Sequence, residues 1–147
     1  MTGRGSYGVL RWLVTAHAVV IFVLPVLAGR YLVGDAGMLA GHRLAADVGT
    51  VVGLAQLVAA AVVWWRAGAR WPLLASLPLV AGEAGQYAVG VSGALDLHVP
   101  LGVALAGYVT ALALLVWRPF TATRRSRASA TGSTRRSPVV VDRNDWR

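Results

Sequence analysis

The chain has 147 residues and a formal charge of +8, yet only 14% of its residues are charged and 56% are hydrophobic, with mean hydropathy +0.61. A soluble domain carries about a quarter charged residues, and here the deficit is concentrated in four long apolar segments, which marks an integral membrane protein with one small helical domain. There is no cysteine, so disulfides, thiolate metal sites and cysteine nucleophiles are excluded.

Residues 1–8 are Gly-rich and basic and are expected to be disordered. The first span is expected over 9–29, with Pro25 near its far end, where a membrane helix tolerates proline if neighbours cover the freed carbonyl. Its basic start, apolar middle and Val26-Leu27-Ala28 also resemble a secretory signal, but the apolar part exceeds the usual length of such a region. After a polar loop containing Asp35, the second span is expected over 42–65. The basic turn Arg66 to Arg70 leads into the third span, 71–92, where Pro72 suits a first helical turn. The fourth span, 97–117, opens on Leu97-His98. From 119 to 147 the composition turns to Arg, Ser, Thr and Ala, too poor in apolar surface to offset the entropy of ordering, so a disordered cytoplasmic tail is expected.

All fourteen basic residues are arginines. With both termini inside, only Arg30 and Arg43 lie outside, as the positive-inside rule requires. Trp12, Trp64, Trp65, Trp71 and Trp117 then gather at the cytoplasmic interface, where such residues form a belt. The expected fold is an all-α, polytopic four-transmembrane-helix up-down bundle, N-in/C-in, in the plasma membrane.

Ionisable groups within spans are costly and point to function. His42 and His98 open spans two and four from the outer side, at similar depth. At 100° per residue His42, Ala46, Gly49, Gly53, Gln56 and Ala60 share a stripe, and Gly49-x-x-x-Gly53 allows close helix approach. His98, Gly102, Leu105 and Val109 share a face of span four. Ser76, Leu79, Glu83, Tyr87 and Gly90 do so in span three, with Gln86 beside them. Spans two and four run in the same direction and stand diagonally across an up-down bundle. Two histidines meeting there at one level are placed for axial ligation of a haem iron. The plainer alternative is a pair of wet interfacial histidines above a Gly-rich packing face.

Gly41-His42-Arg43-Leu44 opening a span with Gly49 and Gly53, then Gly82 to Gly90, then Leu97-His98 opening the next span, resembles one four-helix half of the haem A synthase family. That family carries a histidine-arginine pair entering its second helix and a histidine entering its fourth. The resemblance covers about residues 9–118. It implies haem b between spans two and four, with His42 and His98 as iron ligands and Arg43 as a propionate partner. The family's loop glutamate, three residues before the histidine, is Leu39 here. Haem A synthesis itself is therefore not carried over, and haem b binding is; the function expected of such a protein is electron transfer or haem handling.

Glu83 reads either as a protonated packing element bonded to Ser76, Gln86 or Tyr87, or as a proton relay or transporter coupling site. His17 reads as a satisfied packing residue or interhelical polar contact in preference to a further haem ligand. No Walker loop, zinc spacing, Ser-His-Asp set or dinucleotide fingerprint is present in the sequence, which points away from an enzyme. Two further readings stand beside haem binding. One is a non-catalytic membrane subunit or assembly factor that packs on a membrane partner or a second copy. The other is a small proton-coupled transporter centred on Glu83. The expected partners are the lipid bilayer and, for the Arg-rich tail, anionic lipid headgroups. No folded nucleic-acid reader accompanies the tail, so nucleic acid is not among them.

Overall fold

The computed structural model describes residues 3–118, and the tail expected at 119–147 lies outside them. Four helices follow in order: α1 Gly3–Leu32, α2 Met38–Ala67, α3 Trp71–Ser92 and α4 Leu95–Trp117. Each packs on its sequence neighbours and α4 closes back onto α1, while the diagonal pairs α1/α3 and α2/α4 make no close backbone approach. The result is an up-down ring of helices, the expected all-helical bundle of a membrane protein.

Residues 3–8, expected to lack structure, are helical. The reason is an apolar stripe that starts earlier than the hydropathy does. Leu10 and Val14 are fully buried, and Tyr7 packs against the core one turn before them. The other helices enclose the expected spans, and α3 coincides with its own. Because α2 begins at Met38 and α4 at Leu95, His42 and His98 each sit about one turn inside a helix.

Gly5–Leu32, Met38–Ala67 and Leu95–Trp117 are long and apolar enough to cross a membrane. Helix α3 is also long enough at 22 residues, but Ser76, Glu83, Gln86 and two prolines dilute its apolar content. Outward-facing Val19, Phe22, Val51, Leu54, Val58, Leu77 and Leu114 are exposed, as lipid-facing residues are.

The core is not evenly distributed. Leu10 and Val14 of α1, Ala60 and Val63 of α2, and Val109, Leu112 and Val116 of α4 fill the half of the bundle nearest the termini. At that end the α1/α4 seam is tied. The Arg11 side chain donates through Nε to the Val116 carbonyl at 2.7 Å. Trp117 donates through Nε1 to Thr15 Oγ1 at 3.0 Å and meets Trp12 edge-on, with ring centres 5.5 Å apart. The opposite half holds a cavity instead of a core. There α3 turns into α4 through Gly93-Ala94, with Gly93 at φ +78°, a left-handed conformation that glycine adopts without strain. This tight connection holds the start of α4 against the end of α3.

Candidate functional site

The cavity has a volume of about 300 Å³, and all four helices contribute to its wall. Its polar groups are His17, His42, Thr50, Glu83, Gln86, Tyr87 and His98, set among apolar side chains. Phe22, Val99 and Val103 belong to the wall and are also exposed, so the cavity opens sideways between α1 and α4.

His42 and His98 face one another across the α2/α4 diagonal, with ring centres 6.2 Å apart and planes at 62°. Each ring is held by a backbone carbonyl. His42 Nδ1 lies 3.0 Å from the Leu24 carbonyl of α1, and His98 Nδ1 lies 3.1 Å from the Gln86 carbonyl of α3. A carbonyl only accepts, so Nδ1 carries the hydrogen in both rings and Nε2 is left with its lone pair. This is the orienting contact that metal-binding histidines use. Gln86 returns the bond by donating through Nε2 to the His98 carbonyl at 2.8 Å. Glycine makes room for this clasp: a Cβ on Gly90 would lie 2.8 Å from His98 Cε1, and one on Gly102 would lie 2.9 Å from Gln86 Nε2.

The arrangement can be tested against the donor set a haem requires. Two trans metal–imidazole bonds of ~2 Å, with about 1 Å from each nitrogen to its ring centre, put the centres roughly 6 Å apart. The observed 6.2 Å between ring centres is of that size. Among the described residues no group of three or more His, Cys, Asp or Glu could hold a metal ion. A metal ion held by His42 and His98 alone would have to take its remaining ligands from outside the chain's described residues. A macrocycle exceeds the cavity's volume, so its edge would occupy the lateral opening. The donor type and the spacing of the two rings therefore suit the group, while the enclosed volume holds only part of it.

Arg43 is exposed and stands outside the cavity wall. Glu83 does not bond Ser76, Gln86 or Tyr87. Its Oε1 lies 2.8 Å from His17 Nε2, across the α1/α3 diagonal. Ser76 instead accepts from Gln56 Nε2 at 2.8 Å, while Gln56 Oε1 accepts from His17 Nδ1 at 3.0 Å. His17 and Gln56 are fully buried, and Ser76 almost so. His17 is thus the interhelical polar contact expected of it, but its tie to Glu83 was not legible from span boundaries. With α1 starting at Gly3, His17 is fourteen residues into its helix and Glu83 twelve into the parallel α3, which levels them. Starting the first span at residue 9 sets His17 too near the membrane edge. The signal that would have found the pair is the stripe Tyr7, Leu10, Val14, His17, Ile21.

Comparison of the chain with family models, with curated proteins and with solved structures finds no match.

Proposed function

We propose that this protein is a small membrane haem b protein, with His42 and His98 as axial ligands through Nε2, serving electron transfer or haem handling. The observation that carries the reading is the pair of imidazoles 6.2 Å apart, each with Nδ1 committed to a backbone carbonyl. The resemblance to one half of the haem A synthase family points to the same two residues. When bound, the group would be held by His42 and His98 and would supply one-electron redox chemistry. The chain's own residues orient the ligands: Leu24 and Gln86 fix the tautomers, and Gly90 admits the His98 ring. Arg43, next to His42, is the candidate for a propionate contact. In the topology with both termini cytoplasmic, the ligands lie in the outer half of the plasma membrane, and the Arg-rich tail lies on anionic lipid.

The test is optical. Protein purified from haem-replete cells is expected to show a Soret band and the spectrum of a low-spin, six-coordinate centre. His42→Ala and His98→Ala are each expected to abolish the six-coordinate spectrum, and the double variant to abolish haem retention. Haem-replete wild-type protein without a Soret band would refute the reading.

A further inference from the structure

Haem ligation leaves unused the second constellation in the same cavity. His17 is completely buried and the Glu83 side chain is 16% exposed, and their Nε2 and Oε1 atoms stand 2.8 Å apart. Both residues line the cavity that holds His42 and His98. The other nitrogen of His17 is already a donor, bound to Gln56 Oε1, which in turn is anchored by Gln56 Nε2 on Ser76. Two bare lone pairs at 2.8 Å would repel, so one proton lies between Nε2 and Oε1. The pair is electrically neutral whichever atom carries it. Glu83 Oε2 is outside that contact, and a Cβ on Gly53 would lie 3.1 Å from it and 3.0 Å from His17 Cε1. Glycine at 53 therefore keeps space for both partners.

The groups around Glu83 are few. From α1 it meets His17, and from α2 it faces Gly53, with Gln56 behind the imidazole. The other titratable side chains on the cavity wall are His42 of α2, Tyr87 of α3 and His98 of α4. An ionisable pair in a membrane interior is expensive where a neutral amide and hydroxyl would pack as well. One turn away, Gln56 and Ser76 are such a neutral contact.

We propose that the His17–Glu83 pair is a redox-linked proton site: its hold on one further proton tightens when an electron reduces a haem held by His42 and His98, and loosens again on oxidation. The inference rests on the ligation reading above. An external one-electron donor supplies the electron, which takes the iron from ferric to ferrous and lowers the charge of the centre by one. The proton comes from a bulk hydronium ion, whose O–H bond breaks to leave water, and a new O–H bond forms at Glu83 Oε2. The neutral pair becomes a protonated acid accepting from an imidazolium, and its charge rises by one. No other bond forms or breaks. The cause is electrostatic. At separations on the order of 10 Å and an effective dielectric of ~20, one added electron strengthens the hold on a facing proton about tenfold.

Spectro-electrochemical titration of the full-length, haem-loaded protein at a series of pH values tests this. In the wild type the reduction equilibrium is expected to fall as pH rises, by roughly threefold per pH unit at its steepest and by about tenfold in all. In Glu83→Gln, which keeps the side-chain shape, the Soret band is expected to remain and the dependence to vanish. Glu83 is the chain's only glutamate, so redox-difference infrared spectra of protein labelled at the glutamate carboxyl carbon assign the proton without a mutation. A carboxylic-acid band that appears on reduction and moves with the label supports the proposal. A Soret band with a pH-independent equilibrium, an unchanged dependence in Glu83→Gln, or no label-sensitive acid band overturns this inference alone. A wild type without a Soret band overturns the ligation reading and this inference with it.

Discussion

Gly90 and Gly82 show how differently two glycines of one helix can matter. A methyl group on Gly90 would meet the His98 ring at 2.8 Å, and that ring is pinned by the Gln86 carbonyl. On Gly82 it would meet Leu105 Cδ2 at 2.7 Å, the free end of a flexible side chain. Overpacking a rigid neighbour costs ~1–3 kcal/mol, which is roughly a tenfold to hundredfold effect. Gly90→Ala is therefore expected to weaken haem retention by about tenfold or more in a competition assay with apomyoglobin. Gly82→Ala is expected to change it by less than about threefold, since the leucine can rotate away. Equal effects of the two substitutions would show that the placement of the His98 ring is not what matters. That His42 and His98 deserved attention was legible from residue type and span position. Which nitrogen each leaves free was not, because the carbonyls of Leu24 and Gln86 come from other helices.

At the scale of the helix, α2 is the element around which the polar interior is built. Its Gly49, Gly53, Gln56 and Ala60 are all buried, on the stripe that 100° spacing predicts from sequence. His42 and Ala46 continue that stripe into the cavity wall. Gln56 sits where α1 and α3 come within reach, and it satisfies both, accepting from His17 and donating to Ser76. Removing it leaves two buried polar groups without a partner, at ~1–3 kcal/mol each. Gln56→Ala is expected to destabilise the folded bundle by about 2 kcal/mol or more, measured by reversible unfolding in micelles. Ser76→Ala removes only one acceptor and is expected to have the smaller effect. The periodicity of α1 was read less completely. Hydropathy marked its middle, but its stripe of Tyr7, Leu10 and Val14 begins in a Gly- and Arg-containing stretch whose composition resembles a loop.

On the scale of the whole molecule, one half of the bundle is packed and the other is hollow, and the tie at Arg11, Thr15 and Trp117 belongs to the packed half. Each diagonal of the ring brings one polar pair together, His42 with His98 and His17 with Glu83, in a space that no backbone pair closes. The proposed topology has a direct check. Reporter fusions in the α1–α2 and α3–α4 connections are expected to read the outer compartment, and fusions at 68–70 the cytoplasm. Opposite readings for the first two would place His42 and His98 at different membrane faces. Composition, hydropathy and spacing by themselves determined the helical membrane class, the number of helices and the inward stripes of α2 and α4, whereas the stripe expected on α3 turns inward at Ser76, Leu79 and Glu83 but leaves Tyr87 and Gly90 exposed. Each of these depends only on local period and on the exclusion of polar backbone from lipid. Tertiary structure alone decided the partner of Glu83, the tautomers of the two facing imidazoles and the sideways opening of the cavity. Those depend on the relative depth of different helices and on which carbonyl meets which ring, and such contacts arise only when distant segments pack.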